Sequence, residues 1–189
     1  MDRENEVVYV ANGDGRVVVF DNIRTAVGDI APARVFTVSG ALALVGLELD
    51  PSGNGRLYVT GYVAGAAKLW IYDDPTSLSG TVVPDQTIDV EARAVSLDRA
   101  NDRLFVGSDY EEEVYVFDNA SLLTTGATPD RTVTWTNPTT GFDGPSSIWF
   151  DGCTGRLYVN SNSYTAAGNY LVVFDNPGSL DGAVNLDTD

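Results

Sequence analysis

Histidine is absent from this chain of 189 residues, and cysteine and lysine occur once each. Without histidine the chain lacks the commonest general base and metal ligand at neutral pH, so a Ser-His-Asp triad is excluded. The single cysteine, Cys153, excludes an internal disulfide and a cysteine-ligated zinc or iron–sulfur site. No apolar stretch approaches the roughly 20 residues of a membrane-spanning helix, so we expect no membrane span.

The charge is strongly one-sided, with 27 acidic against 11 basic residues, a net charge of −16 and a pI of about 4.1. Because a surface this negative repels phosphate backbones, we expect no nucleic-acid partner. Acid-rich, lysine-poor composition is also typical of proteins in salty or extracellular surroundings. The sequence therefore predicts an extracellular or cell-surface location.

One short pattern is repeated four times along the chain. Each copy has a strand-like tetrapeptide, followed by an apolar run that ends in an aromatic residue and an Asp. The tetrapeptides lie at 7–10, 56–59, 103–106 and 156–159, and the aromatic residues are Phe20, Tyr72, Phe117 and Phe174. Successive aromatics are 52, 45 and 57 residues apart (72−20, 117−72, 174−117). A period near 50 with strand patterns inside it indicates a radial or stacked β-repeat, because one unit cannot bury its own faces. We therefore expect the repeated aromatic residues to pack between neighbouring units.

The third copy shows four runs that alternate apolar and polar residues, at 94–97, 103–106, 113–117 and 131–135. Such runs, rich in Val, Tyr, Phe and Thr, are predicted strands, which we name A to D. Four antiparallel strands in about 50 residues is the size of one propeller blade. The sequence therefore predicts an all-β fold, a β-propeller of about four four-stranded antiparallel blades, at 1–38, 39–91, 92–137 and 138–189.

Each strand A is predicted to end in an Asp, and each following strand B begins with an Arg. We expect the Asp side chains to accept backbone N–H groups in the A–B turn. We also expect each Asp to form an ion pair with the Arg at the other end of the same hairpin. The predicted pairs are Asp50 with Arg56, Asp98 with Arg103, and Asp151 with Arg156.

The first and last copies are shortened, so we expect incomplete first and last blades. Residues 1–7 match 97–103 at the A–B turn, and 179–187 match 77–85 in the link between strands C and D. The alternative that 184–187 form a strand A is disfavoured, because about eight residues cannot cross a blade. The alignment gives fourteen strands in an open arc or part of a larger ring, with a longer propeller of about six to eight blades favoured.

The blades resemble the bacterial NHL and YVTN-type propeller repeats. The resemblance rests on the strand-end Asp, the Arg-Leu-Tyr-Val and Val-Phe-Asp-Asn motifs, the Ser-Leu pairs and Pro-Asp-Arg-Thr at 129–132, and it covers nearly the whole chain. It implies a propeller fold shared by scaffolds, surface proteins and a few enzymes. Related lactonase and gluconolactonase-like enzymes hold a catalytic calcium with Glu, Asn and Asp side chains around the channel. No matching set can be placed on this sequence, so no residue role is carried over.

The loops that join strands B to C and D to A vary between copies, and in a propeller they share one face. Variable loops on a repeated scaffold are where binding residues concentrate. Tyr62 lies in one of these loops, and the acidic run 109–113 has oxygen ligands that suit Ca²⁺. A solvated charged loop is the favoured explanation of this run, because it lacks the spaced ligands and glycine of an EF-hand loop. The candidate ligand-binding residues on this face are Asp109, Tyr110, Asp143, Asn160, Asn162 and Tyr164.

These observations favour a non-enzymatic interaction or scaffold module whose partner is another protein or further copies of itself. No cofactor is required by the pattern, with Ca²⁺ the one candidate ion. One alternative is part of a calcium-dependent lactonase or gluconolactonase-like hydrolase. A second alternative is a self-assembling structural protein whose open blades pair between copies.

Overall fold

The computed structural model of the chain describes residue 2 and residues 5–52, 55–136, 144–162 and 169–185. Within these residues the fold is all-β, with sixteen strands in four sheets and three short 3-10 helices. The sheets contain mainly antiparallel strands, and none of them closes into a barrel. The all-β prediction is therefore confirmed.

The first two sheets each contain four strands. The first has the order β1-β2-β3-β7, with β1 Val8–Ala11, β2 Arg16–Phe20, β3 Arg34–Val38 and β7 Gly80–Val82. The second has the order β4-β5-β6-β8, with β4 Ala43–Asp50, β5 Arg56–Val63, β6 Ala66–Asp73 and β8 Gln86–Ile88. In both sheets, the segments in which apolar and polar residues alternate are the antiparallel strands, as the sequence predicts.

The third and fourth sheets contain five and three strands. The third has the order β16-β12-β11-β10-β9, with β9 Ala94–Asp98, β10 Arg103–Ser108, β11 Glu113–Asp118, β12 Arg131–Thr136 and β16 Gly182–Asn185. The fourth has the order β13-β14-β15, with β13 Pro145–Asp151, β14 Arg156–Asn162 and β15 Asn169–Asp175.

Two of the sixteen strands correct the prediction of fourteen purely antiparallel ones. Strands β7 and β16 lie in the segments that the sequence alignment treats as links. Each pairs in parallel with the outer strand of the preceding sheet, β7 with β3 and β16 with β12. The segments at 77–85 and 179–187 are therefore equivalent, as the sequence alignment predicts. Each also adds one parallel strand to the preceding sheet, which the alignment did not predict. The pairing of β16 at an outer edge places 184 and 185 away from the inner strands, in agreement with rejecting a strand A that begins there.

Successive sheets pack face to face through three apolar clusters. We call the face toward the next sheet the forward face and the opposite one the backward face. On β5, Tyr58 is on the forward face and packs with the third sheet, whereas Leu57 and Val59 are on the backward face and pack with the first. All three side chains are fully buried. The repeated aromatic residues Tyr72, Phe117 and Phe174 pack between sheets, as expected.

The inner strands β4, β9 and β13 lie side by side, so their sheets approach closely there. Glycine is needed at Gly46 on β4, which approaches the segment before β9, and at Gly61 on β5, where β4 and β5 approach closely within the second sheet. A Cβ atom at Gly61 would collide with the carbonyl oxygen of Ala43, and one at Gly46 would lie 2.6 Å from Oγ1 of Thr60. The same Thr60 hydroxyl donates to the backbone oxygen of Arg93 at 2.7 Å. Close packing of inner strands thus fixes the segment before β9.

The prediction that strand-end Asp side chains hold the A–B turns is confirmed. Asp50 accepts the backbone N–H of Ser52 at 3.0 Å, and Asp151 accepts that of Cys153 at 3.0 Å. Asp98 accepts from both nitrogens of Asn101, at 3.3 and 2.7 Å. Asp2 makes the same pair of bonds with the Asn three residues later, at 3.1 and 2.7 Å.

The prediction that each strand-B Arg pairs mainly with the Asp at the end of strand A is wrong. Each strand-B Arg binds the Asp at the end of strand C instead, at 2.6–2.8 Å through Nε. These pairs are Arg56 with Asp73, Arg103 with Asp118, and Arg156 with Asp175. The predicted partner Asp98 lies 3.9 Å from Arg103, a weaker contact. Turn N–H groups already occupy the strand-A carboxylates, which explains the preference.

Two of the three strand-B arginines also contact the following unit. Arg56 donates to the backbone oxygens of Ala120 and Leu123 at 2.8 and 2.9 Å, and Tyr58 donates to Ala120 at 2.9 Å. The guanidinium of Arg103 packs against Gly178 in the equivalent turn. We call this contact the arginine clasp. It ties the second and third sheets to the turn after strand C of the next unit.

The clasped turn begins in every copy with a residue in the left-handed backbone conformation. These residues are Asn22, Asp74, Asn119 and Asn176, with φ between 49° and 56°. Asn and Asp adopt this conformation at lower cost than other residues with a Cβ atom. At the last three positions no side-chain cap hydrogen bond forms, so backbone geometry explains the repeated motif.

Within the described residues, no helix is long and apolar enough to cross a membrane.

Asp118 is expected to stabilise the third sheet in a pH-dependent way. It accepts hydrogen bonds from Arg131 at 2.7 and 2.9 Å and from Arg103 at 2.7 Å, and these bonds lower its pKa to about 2. Because the folded pKa lies below the unfolded value, the stabilisation is complete above about pH 4 and is lost as the pH falls toward 2. Asp118→Asn should lower the free energy of unfolding by about 1–2 kcal/mol at neutral pH in urea titrations.

The matched control is Asp175→Asn, because Asp175 has one arginine partner and its side chain is 68% exposed. We expect its loss to stay below about 0.5 kcal/mol. An Asp118→Asn deficit that does not shrink between neutral pH and about pH 3 would contradict the ionic explanation.

Candidate functional site

Three non-repeating segments meet in one open cleft of about 1010 Å³. They are the β5–β6 hairpin, the segment between β8 and β9, and the loop between β10 and β11. We call this the loop cleft, and it is lined by Tyr62, Val63, Gly65, Ala66, Ala67, Lys68, Asp89, Val90, Glu91, Arg93, Asp109, Tyr110 and Glu111. The loops expected to share one face thus converge between the second and third sheets.

Both cationic side chains of the loop cleft are engaged in ion pairs. Lys68 binds Asp89 at 2.5 Å, and Arg93 binds Asp109. The backbone of Arg93 is fixed as well, because its N–H donates to Gly107 at 2.9 Å. The cations are therefore held by the cleft's own carboxylates and are poorly placed to attract an anionic ligand.

Two carboxylates of the loop cleft, Glu91 and Glu111, form no ion pair within the described part of the chain. Burial raises the pKa of Glu91, and the charges of Asp109 and Glu111 raise it further, against the lowering effect of a hydrogen bond from Ser108. Its Oε2 atom is buried and has no hydrogen-bond partner among the described residues. The cleft thus holds uncompensated negative charge at a place that disfavours it.

Two tyrosines provide aromatic surface beside these acids. Tyr110 is 82% exposed, an unusual position for a large aromatic side chain. Tyr62 is half-buried, and its pKa is raised by burial and by Asp109, with Arg93 acting in the opposite direction. Exposed rings next to carboxylates offer two kinds of attraction to a cation, ionic and cation–π.

The structure brings together two of the six residues predicted for the ligand-binding face. Asp109 and Tyr110 both line the loop cleft. Asn160 lies in β14, where its side chain donates to Ser146 Oγ at 3.2 Å, and it does not line this cleft. Asn162 ends β14. The remaining two, Asp143 and Tyr164, lie outside the described residues.

Four charged residues of the cleft were missed by the sequence prediction: Lys68, Asp89, Glu91 and Arg93. Lys68 is the only lysine of the chain, and Glu91 and Arg93 flank the fully buried Ala92 just before strand A. The signal available in the sequence was the alternation of charged and apolar residues at 89–93, directly before the predicted strand A. Their convergence with the 109–111 loop depends on how two sheets pack, which local patterns do not specify.

Among the described residues, no three His, Cys, Asp or Glu side chains are grouped so that they could hold a metal ion. The residues of the acidic run 109–113, which we considered for Ca²⁺, contact different partners and do not converge on one point. Asp109 is paired with Arg93, and the N–H of Glu111 donates to Ser108 Oγ at 2.9 Å.

We expect Glu91→Gln to stabilise the protein at neutral pH. The ionised carboxylate costs stability in this partly buried, acidic cleft, so an uncharged isostere should raise the melting temperature by about 2 °C. A raised folded pKa means that the native protein regains this stability below the unfolded pKa, so the gain should vanish near about pH 4. Thermal melts across pH test this, with Glu112→Gln, at an exposed residue of the neighbouring β10–β11 loop, as control. A gain that persists at low pH would contradict it.

Comparison with models of known protein families gives no match for this chain, and neither does comparison with curated proteins. The resemblance to NHL and YVTN repeats therefore rests on the sequence motifs alone.

Proposed function

We propose that this chain is a non-enzymatic interaction module of the β-propeller type, secreted or on the cell surface. Its loop cleft binds a basic segment of a protein partner. The observation that carries the proposal is the composition of this cleft, in which every cation is already paired and acids and tyrosines remain. The four sheets are the blades of the propeller.

The repeated packing supports the propeller arrangement. Forward and backward faces alternate in the same sequence positions at all three junctions between sheets. The inner strands lie beside one another in chain order, β4 beside β9 and β9 beside β13. Equivalent turns are joined by the arginine clasp at two junctions. Blades of a propeller repeat one such junction around an axis.

The charge distribution supports a cationic ligand. Of the eleven Lys and Arg residues, Arg3 lies outside the described residues, and each of the other ten forms an ion pair. The described surface therefore offers no uncommitted positive side chain to a phosphate or carboxylate. An arginine or lysine of a partner would meet Glu91 and Glu111 and lie against Tyr110.

Binding of a synthetic arginine-rich peptide, followed by calorimetry, tests the proposal. The comparison peptide carries citrulline in place of arginine, which keeps the shape and removes the charge. We expect the arginine peptide to bind and the citrulline peptide to bind at least about tenfold more weakly. Tyr110→Ala and Glu91→Gln should each weaken binding of the arginine peptide about fivefold.

The matched control is Glu6→Gln, which removes one charge from a residue outside the loop cleft that pairs with Arg24. Equal weakening by Glu6→Gln and Glu91→Gln would mean that the peptide binds the acidic surface in general, and the proposed site would be wrong. Stoichiometric Ca²⁺ binding with a melting-temperature rise of several degrees would likewise contradict a metal-free interaction module.

A further inference from the structure

The forward face of the fourth sheet is apolar and exposed. Trp149, Leu171 and Val173 are 58%, 64% and 44% exposed. Trp149 pairs across the sheet with Tyr158, whose ring lies 5.4 Å away, and Tyr158 pairs with Val173. The counterparts of Val173 on the earlier sheets, Val19, Ile71 and Val116, are all fully buried under the next sheet. The same surface is covered three times in this chain and left open once.

The backward face of the first sheet is the complementary open surface. It carries Val8, Val10, Val18, Phe20 and Val35. Val10 is 43% exposed, whereas its counterparts Val59, Val106 and Val159 are fully buried against the preceding sheet. The forward face of the fourth sheet and the backward face of the first sheet are therefore both uncovered. At every junction inside the chain, a forward face packs against a backward face.

The arginine clasp is also open at the fourth sheet. The side chains of Arg56 and Arg103 are 11% and 21% exposed because the next unit covers them. Arg156 occupies the same position, bonds Asp175, and is 48% exposed. Among the described residues, no turn contacts its guanidinium in the way that turns contact those of its two counterparts.

The first unit contains a turn of the clasped type. Asn22 has φ 56°, and the N–H of Thr25 donates to its carbonyl at 3.2 Å, as Leu122 does to Asn119 at 2.8 Å. By alignment, the carbonyls of Ile23 and Ala26 take the places of the two that accept from Arg56. Arg24 in this turn pairs with Glu6 at 3.5 Å, which reduces repulsion of an incoming arginine.

We propose that the forward face of the fourth sheet docks on the backward face of the first sheet of a second copy of this chain, head to tail. The contact repeats the junction that joins the chain's own sheets, with Arg156 clasping the 22–26 turn of the other copy. It uses no residue of the loop cleft, so it stands apart from the proposed peptide binding. Head-to-tail contacts of this kind generate rings or open chains of subunits.

Sedimentation of the full 189-residue chain tests the proposal. We expect the average mass to rise above the 20.2 kDa of one chain as concentration increases over about a hundredfold range. The rise should be larger in high salt, because each copy has a net charge of −16 and screening reduces their repulsion.

Two variants distinguish a head-to-tail contact from a symmetric one. Leu171→Glu damages only the forward face and Val10→Glu only the backward face, so each alone should be monomeric. A mixture of the two retains one intact forward and one intact backward face, and it should form a one-to-one dimer and nothing larger. Leu122→Glu and Val83→Glu, both at 74% exposed positions outside these faces, should assemble like the native chain.

Arg156→Gln gives a milder test if a face variant fails to fold, with unfolding followed by circular dichroism. It should weaken association about tenfold, while Arg99→Gln, at a similarly exposed ion pair that lies outside both faces, should not. A monomer at every concentration and salt would overturn the proposal. So would a Val10→Glu variant that still dimerises, since it would show a symmetric contact, or a mixture that stays monomeric.

Discussion

Face-to-face burial of consecutive sheets is the constraint on which this fold depends. Each middle sheet is apolar on both faces, as Leu57 and Tyr58 show by pointing to opposite neighbours and being fully buried. Burying one such side chain contributes about 1.5–3 kcal/mol, whereas an exposed ion pair contributes about 0–1 kcal/mol. Sheet packing therefore dominates stability, and no sheet is expected to fold without its neighbours. Gly46 lets the inner edge of the second sheet approach the segment before β9, so that this packing is continuous.

The repeated Arg and Asp side chains connect strands within a sheet and join neighbouring units around the apolar core. Arg103 and Arg131 converge on Asp118 within the third sheet, while Arg56 reaches across to backbone oxygens of the following unit. The first unit has Val7 where the others have arginine, and Asp21 is bound there by Arg34, the counterpart of Arg131. The Asp at the end of strand C thus keeps an arginine partner in each unit even when the partner's position changes. This explains why the Asp is the more regular member of the motif.

The sequence alone predicted the strands with strong alternation, the Asp-held turns and the aromatic residues between sheets, because these follow from local pattern and period. It could not predict β7 and β16. Each has only three or four residues, and its pairing partner is the outer strand of a different unit, which local propensity does not specify. The ion-pair partner was missed for a similar reason: register places Arg103 opposite both Asp98 and Asp118, and only the turn hydrogen bonds decide between them. Asp109 and Tyr110 were among the predicted candidates because they interrupt the repeat. Glu91 and Arg93 line the same cleft but were not candidates, since their position depends on the packing of two sheets.

The placement of the Lys and Arg side chains distinguishes the repeated sheets from the loop cleft. Repeated positions and loops together engage every described Lys and Arg side chain in ion pairs, so the remaining negative charge belongs to acidic residues that have no ion-pair partner among the described residues. In the loop cleft that excess includes Glu91, whose burial raises its pKa and opposes ionisation. A folded protein gains nothing from such a group by itself, because a neutral side chain of the same size would cost less. Strain of this kind is expected where a ligand supplies the missing charge, which is why the cleft rather than the repeated ion pairs points to function.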